Sequence, residues 1–501
     1  MAIRLKIAVF ATALVLLGFN IQRVGLAEAY VDPIAHIPAQ DEAVYSSTAL
    51  HMAESGGWLT PVFLGRYALY KPPLLYWVAG FSVTLFGPSA LALRLPSLLA
   101  GAGLALLLFT WIWRAHSLAA AASATLLLIT DRVFFTLARV TLTDMPLLLW
   151  IVIALYCVYR DPGLATRRSL WIFGGAVGAA IMTKGVAGFL PLMMLAGTGR
   201  IGFRRFMQVC GVGALIAAPW HAYQLAVHTR WFWAEYILTE HFTWALATPS
   251  QSTQENQLFY YLKRLALLDP VLCVAALAGI PFAIRTRNRL LLAWFTVVIL
   301  ALIAFGYRNT SYLLLLIPAL CLLAAGALRN WSTTAVVAVL ACLKLAMLPY
   351  QPEHPMPSVA ALKSYAALGR TRDLILISPD DEFVSSTLPL RHVRYCFLNT
   401  YPDPPPLPLD FRYLGIALTV PEFNDFARLA PVFAQRLAEF GLASSQPVGT
   451  VILARSPGEL VTLIAEHPES DFSVPTDLGP VQDASHIAWN ETAGRFFLLA
   501  R

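Results

Sequence analysis

Charge is scarce in this sequence. Asp, Glu, Lys and Arg make up 13% of its 501 residues, about half the ~25% of an average soluble globular chain, which excludes an ordinary solvated domain. Cysteine is scarce as well: of six, Cys157, Cys210, Cys273, Cys321 and Cys342 sit in apolar runs and only Cys396 lies beyond them. That distribution offers neither a disulfide framework nor a zinc pattern. Internal repeats and low-complexity tracts are missing too, apart from a proline strip at Pro402 to Pro408. The triplets beginning at Asn309, Asn330 and Asn490 match a glycosylation pattern, but such matches are common by chance and carry no weight.

What fills the chain is hydrocarbon. Hydrophobic residues account for 58% and mean hydropathy is +0.63, the composition of a polytopic membrane protein. At roughly 20 apolar residues per crossing, runs lie near 7–27, 90–113, 117–131, 145–159, 169–183, 186–199, 207–220, 262–284, 290–305, 312–328 and 332–349. The expected fold is therefore mainly α, a transmembrane helical bundle of about eleven helices. The first run follows Arg4 and Lys6, so a cleavable signal peptide competes with a retained helix. The run is long and ends in Gln22 and Arg23 instead of a small-residue cleavage site, which favours the helix.

Basic residues cluster at Arg4/Lys6, Arg114, Arg160/Arg167/Arg168, Arg200/Arg204/Arg205, Arg285/Arg287/Arg289 and Arg329, all on the N-terminal side of the runs. The positive-inside rule makes that side cytoplasmic, and the net charge of +7 is then a topology signal that calls for no nucleic acid. The opposite side holds residues 28–89, 132–144, Lys184, 221–261, 306–311 and everything after Pro349. In the first of these loops Trp58, Phe63, Tyr67, Tyr70, Tyr76, Trp77 and Phe81 stand among polar residues, and Leu74 to Phe86 is apolar but short. Such segments lie in the membrane interface; they either guide a lipid substrate or form an aromatic belt without catalytic meaning.

Residues 1–349 are expected to form the membrane domain and 350–501 a periplasmic α/β domain. In the latter, Asp373 to Ser378, Tyr413 to Val420 and Val448 to Ala454 read as strands, and Asn424 to Phe440 and Gly458 to Ala465 as helices. It carries no glycine motif for nucleotide binding.

Carboxylates at the ends of membrane helices usually mark chemistry. Asp41-Glu42 follows the first run and Asp144 opens a later one; Lys71-Pro72-Pro73, Arg94-Leu95-Pro96, Lys184 and Glu240-His241 share their side. Each alone has a bland reading, as a solvated pair, a helix cap or a cation snorkelling toward headgroups.

Together, the order and spacing of these short motifs resemble the membrane glycosyltransferases that use polyprenyl-phosphate sugars. The likeness is strongest to the bacterial lipid A aminoarabinose transferase group, distant relatives of the protein O-mannosyltransferases. It covers roughly the first 320 residues, from Asp41-Glu42-Ala43-Val44-Tyr45 through Trp58-Leu59-Thr60-Pro61, Lys71 to Trp77, Arg94 to Ser97 and Ala138-Arg139. It continues with Asp144-Met145-Pro146, Thr183-Lys184-Gly185, Pro219-Trp220, Glu240-His241-Phe242 and Arg308 to Tyr312.

The resemblance implies a GT-C bundle with an outer cavity and Asp41 as the main catalytic candidate, with Asp144 orienting the acceptor or sharing that role. Transfer from a lipid phosphate to a hydroxyl needs a base and cations for the departing phosphate. Lys71 and Lys184 fill the second need, with Arg308 and Arg139 as secondary candidates. Glu42, Tyr45 and Tyr312 are the expected substrate-binding residues. Glu240 and His241 would be half of a divalent-metal site, but Tyr70 stands where the family carries an acid before the lysine. Losing a carboxylate ligand weakens zinc or magnesium binding, so no cofactor is assigned. Val44, in place of the family's usual arginine, leaves the sugar and acceptor open.

The expected activity is inverting transfer of a sugar from polyprenyl phosphate to a periplasmic acceptor at the bacterial inner membrane, with lipid A or another glycolipid favoured. A protein hydroxyl is the alternative acceptor. A lipid-linked sugar transporter is the non-enzymatic alternative, and it would place its charges at the bilayer midplane within an inverted repeat.

Overall fold

The computed structural model describes residues 2–21, 39–63, 66–229, 232–243, 257–305, 308–348 and 368, followed by the segments 374–378, 393–395, 412–413, 416–417, 449–453, 457–476, 486–492 and 495–501. The side chain of Asp41 and the helix expected over 424–440 lie outside the described residues.

The molecule is mainly helical, and each apolar run coincides with helix. Helix α1 (Ala2–Gly18) is followed by α2 (Ala39–Ser55), α3 (Leu74–Phe86), α4 (Ala90–Ala115), α5 (Leu118–Ile129), α6 (Arg132–Leu137), α7 (Asp144–Arg160) and α8 (Arg167–Lys184). Then come α9 (Leu190–Gly197), α10 (Phe203–Val227), a π-helical segment Phe232–Thr243, α11 (Gln257–Leu268), α12 (Pro270–Thr286), α13 (Arg289–Ala304), α14 (Ile317–Ala324) and α15 (Trp331–Ala346). Two stretches, Ala90–Ala115 and Arg167–Gly197, are long and apolar enough to cross a membrane on length and composition, or three if the bent pair α11–α12 counts as one.

The helices start where short polar side chains cap them. Ser117, Thr166, Asn288 and Asn330 each accept a backbone N–H from the first turn of α5, α8, α13 and α15, satisfying donors that the helix itself leaves open. Leu104, Leu108, Phe134, Leu148 and Ile151 are buried in the core where α4, α6 and α7 meet.

Side-chain contacts sort the loops onto two ends. At one end Arg205 donates to the carbonyl of Ala165 and Ser117 to that of Arg329 at 3.1 Å, which gathers the arginine-bearing loops. At the other end Glu42 meets Arg94, Lys184 meets Asp144, Lys71 meets Glu240 and Lys344 meets Asp269.

Three breaks or offsets in the helices have local causes. The stretch Arg167–Gly197 passes the length test as one span but is not a straight rod. Gly185 is at φ 53°, and a Cβ on Gly188 would lie 2.2 Å from the backbone nitrogen of Ile181. Residues so far apart along a helix come that close only where the chain doubles back. The run 262–284 is broken at Asp269, with α11 and α12 bent by 110°. Pro270 has no N–H to continue α11, and Asp269 caps Leu272 at 2.9 Å to start α12. The first run begins earlier than expected, since α1 covers Ala2–Gly18; residues 22–38 lie outside the described residues.

Beyond the bundle lie strands β1 (Leu374–Ser378), β2 (Val393–Tyr395), β3 (Gly449–Leu453), β4 (Asp471–Pro475), β5 (His486–Thr492) and β6 (Arg495–Ala500). They form a mixed six-stranded sheet in the order β2-β3-β1-β4-β6-β5. The first four run parallel, and β6 pairs antiparallel with β4 and β5. Within the strand expected over Tyr413 to Val420, the described residues belong to a short antiparallel pair, Arg412–Tyr413 with Ile416–Ala417. Helix α16 (Pro457–Glu466) buries Leu460 and Ile464 against Phe472, Val474 and Leu498.

Candidate active site

The acids and lysines singled out in the sequence divide into a cluster at one end of the bundle and a seam beneath it. The cluster begins where α7 starts and α8 stops: Lys184 Nζ donates to Asp144 Oδ1 at 2.9 Å, with 18% and 13% of the two side chains exposed. The Tyr312 ring lies 5.4 Å from the same ammonium, a cation–π distance. Arg308, a few residues before Tyr312, has its guanidinium 5.4 Å from the Tyr260 ring, and the Tyr260 hydroxyl is 3.2 Å from Thr310 Oγ1.

A second lysine–carboxylate pair, Lys71 with Glu240, stands beside the first. The loop carrying Lys71 is fixed to α10: Trp220 and Gln224 both donate to the carbonyl of Leu59 at 2.8 Å, and Thr60 Oγ1 is 3.1 Å from His228 Nε2. Trp77 donates to the carbonyl of Trp58 at 2.5 Å. Pro72 and Pro73 then fix the backbone dihedrals between Lys71 and the start of α3.

Glu240 and His241 come from the π-helical segment, whose i to i+5 period brings the Tyr236 and His241 rings together edge to face at a centroid distance of 4.6 Å. His221 Nε2 lies 2.8 Å from the Tyr236 hydroxyl. Burial, the Lys71 ammonium and His221 lower the His241 pKa to about 4, so its imidazole is neutral near pH 7. Burial also raises the Tyr236 phenol above its ordinary value. Gly185 sets the backbone after Lys184 against the segment that carries Glu240. A Cβ there would sit 2.8 Å from the Tyr236 hydroxyl and 2.9 Å from His241 Cε1, so the backbone beside Lys184 lies directly against the Tyr236 and His241 rings.

His221 and Tyr236 were not singled out in the sequence. His221 stands one residue beyond Pro219-Trp220, and Tyr236 one π-turn before His241, a period that an α-helical reading does not show.

Three sequence-predicted site residues are engaged inside the bundle. Glu42, expected to bind substrate, is 1% exposed. Both its oxygens are engaged by Arg94, at 2.7 and 2.8 Å, and Oε1 also accepts the Thr141 N–H at 2.9 Å. Arg139, a secondary phosphate candidate, is 1% exposed. It donates to the carbonyls of Leu17 and Phe19, both at 2.6 Å, which closes the C-terminal end of α1. Tyr45 is buried with its ring 5.8 Å from that of Tyr76. Glu42 nevertheless ties the start of α2, where Asp41 stands, to the Thr141–Asp144 segment.

The donor set does not fit a divalent metal. Among the described residues no three His, Cys, Asp or Glu side chains converge. Glu240 is neutralised by Lys71, and Tyr70 supplies no carboxylate.

A helical bundle with two lysine–carboxylate pairs at one end is similar in sequence and in fold to known membrane glycosyltransferases. The sequence model of the dolichyl-phosphate-mannose-protein mannosyltransferase family matches residues 10–246. The particular likeness is to ArnT: the crystal structure of ArnT from Cupriavidus metallidurans bound to undecaprenyl phosphate superposes with a TM-score of 0.70 over 99% of this chain and 98% of that one, at 18% identity. In sequence, the undecaprenyl phosphate-alpha-4-amino-4-deoxy-L-arabinose arabinosyl transferase of Aeromonas hydrophila is 27% identical over 315 residues, 58% of this chain and 55% of that protein. The Yersinia pestis protein of the same name is 27% identical over 257 residues, 47% and 43% of the two chains. The chain thus spans about half the length of the curated relatives it matches.

Proposed function

We propose that this protein transfers a sugar from a polyprenyl-phosphate donor to a glycolipid acceptor of the lipid A type. The observation that carries the reading is the pairing of Lys184 with Asp144 and of Lys71 with Glu240, with Gly185 after Lys184 against Tyr236 and His241 of the segment that carries Glu240. The names of the Aeromonas and Yersinia relatives and the lipid in the ArnT structure supply the donor class.

In this reading both ammonium groups exchange their carboxylates for oxygens of the donor phosphate. The acceptor hydroxyl oxygen attacks the anomeric carbon, the bond from that carbon to the phosphate oxygen breaks, and the configuration inverts. The proton passes to the Asp41 carboxylate, and the charge developing on the leaving polyprenyl phosphate is held by Lys71 and Lys184. Asp144, released from Lys184, orients the acceptor. Arg308 and Tyr312 line the approach, and no step runs through a metal.

The membrane placement belongs to the same proposal. Eleven crossings put the arginine end in the cytoplasm and the lysine–carboxylate end in the periplasm of a bacterial inner membrane, with residues 1–349 as the membrane unit and 350–501 as a periplasmic unit. The exposed apolar residues Val78, Phe81, Leu85 and Phe86 of α3 suit a helix lying in the interface beside the donor lipid.

The match to a protein mannosyltransferase family over residues 10–246 supports one second reading, a protein hydroxyl as acceptor. Mass spectrometry of lipid A and of lipid-linked sugars from cells lacking the protein, complemented by wild type or by Asp41→Asn at equal abundance, tests both. A sugar-sized mass added to lipid A by wild type alone supports the proposal. Unchanged lipid A with accumulated donor and altered glycoprotein masses moves the acceptor to protein, and full complementation by Asp41→Asn removes the assigned base.

A further inference from the structure

The arginine end of the bundle holds a cavity that the proposed transfer does not use. It encloses about 420 Å³ between the ends of α4, α7 and α9 and the α12–α13 turn. Arg114, Arg200, Arg287 and Arg289 line it, and no Asp or Glu does. Among the described residues none of the four is in an ion pair. Arg287 holds a left-handed backbone, φ 46° and ψ 49°, as it closes α12, a conformation that costs free energy for any residue but glycine.

The inner wall is aromatic. Trp111 and Trp294 are buried with ring centroids 6.5 Å apart, and Tyr159 lies 5.2 Å from Trp111. His116, also in the lining, has a buried Nδ1 without a hydrogen-bond partner. The positive-inside rule accounts for arginines in loops on this side, but not for arginines from three separate connections converging on one concavity with a ring-lined floor. Four guanidinium groups without a counter-charge ask for an anion with several acceptor oxygens, and the planar fork of arginine matches phosphate. The aromatic wall and the position at a helix-bundle end suit a group that brings glycerol and acyl carbons with it.

We propose that this cavity binds the phosphate headgroup of an anionic phospholipid, on the face of the bundle opposite the lysine–carboxylate pairs. The site stands independently of the transfer reaction.

The test is native mass spectrometry of the full chain in detergent, titrated with phosphatidylglycerol, with phosphatidylcholine and with inorganic phosphate. Wild type is compared with the triple variant Arg200→Gln/Arg287→Gln/Arg289→Gln and with Arg167→Gln/Arg168→Gln, which removes charge at the same end outside the cavity. Losing charge-assisted bonds to phosphate predicts at least a tenfold weaker phosphatidylglycerol affinity for the triple variant, and less than a twofold change for the control. Equal loss in both variants would overturn the site in favour of diffuse surface charge. Tight inorganic phosphate binding that displaces the lipid would overturn the lipid assignment. Should the triple variant fail to fold, Arg200→Gln and Arg289→Gln singly must each weaken the lipid more than either control substitution does.

Discussion

Glu42 grips Arg94 with both carboxylate oxygens, Oε1 to Nε at 2.7 Å and Oε2 to Nη2 at 2.8 Å, and 1% of each side chain is exposed. Arg94 also donates to the carbonyl of Ile21 at 2.9 Å, and Glu42 accepts from Thr141. The pair therefore ties the end of α1, the start of α2, α4 and the segment leading into α7. Removing one partner leaves a buried charge alone, at about 3–5 kcal/mol. Glu42→Gln and Arg94→Met are each expected to lower the thermal unfolding temperature of the detergent-solubilised protein sharply. The combined Glu42→Leu/Arg94→Met should cost less than the sum of its parts. A Glu42→Gln protein that melts like wild type but shows a raised substrate KM would return Glu42 to a binding role.

Lys184 and Asp144 differ from that pair in being partly open. Their contact is one hydrogen bond at 2.9 Å, and an incoming phosphate can replace the carboxylate. In the proposed transfer Lys184→Met removes the cation assigned to the leaving group, and losing one such group typically costs about a hundredfold or more in rate; turnover of a polyprenyl-phosphate donor should fall by that order. Asp144→Asn frees the ammonium, so donor binding should tighten while turnover falls. Donor titration against single-turnover rates separates the two, and weaker donor binding by Asp144→Asn would contradict the exchange of partners.

Hydropathy and arginine placement made the helices legible because hydrocarbon and surface charge act on whole segments. Each expected run carries helix, although the run at 262–284 breaks where Asp269 and Pro270 end one helix and begin the next. Residue roles were less legible because they depend on partners distant in sequence. Glu42 and Arg139 have the residue types of a phosphate and sugar site, yet Arg94, Thr141 and the carbonyls closing α1 claim them. Conversely, the Tyr236–His241 ring contact needs a π-helical period and His221 from another helix, which no local pattern reports.

His241 should behave as a neutral group. Its folded-state pKa of about 4 lies below the ordinary value of about 6.5, so the unfolded chain takes up the proton first as pH falls. The contribution to stability is complete above about 6.5 and is lost between there and pH 4. Unfolding temperatures measured from pH 7.5 to 4.5 should fall more for wild type than for His241→Gln. Turnover should show no limb from His241 between pH 5 and 8; a limb in that range that His241→Gln abolishes would refute the assignment.

Chelation offers a separate check at the same place. Glu240 faces an ammonium instead of a cation-binding partner set, and Tyr70 supplies no carboxylate. Treating the purified protein with EDTA should leave turnover within about twofold, smaller than the loss of several kcal/mol expected where a metal acts as Lewis acid. A loss restored by zinc or magnesium would mean that Glu240 leaves Lys71 when a metal is present.

Two glycines at the end of α8 hold the reversal that positions Lys184. At Gly188 an added Cβ would lie 2.2 Å from Ile181 N and 2.5 Å from the Ala180 carbonyl carbon; both are backbone atoms, so no side chain can move aside. Gly188→Ala must push α8 and α9 apart, and overpacking costs about 1–3 kcal/mol or more. At Gly185, φ 53° already disfavours other residues, and the Cβ would meet Tyr236 and His241. Gly185→Ala is expected to shift the backbone at Lys184 away from the Tyr236 and His241 rings. Both variants should unfold at lower temperature, but Gly185→Ala should also weaken donor binding in the protein that remains folded. Equal donor affinity for folded Gly185→Ala and wild type would separate Lys184 from the Lys71–Glu240 pair and leave Gly185 a purely structural hinge.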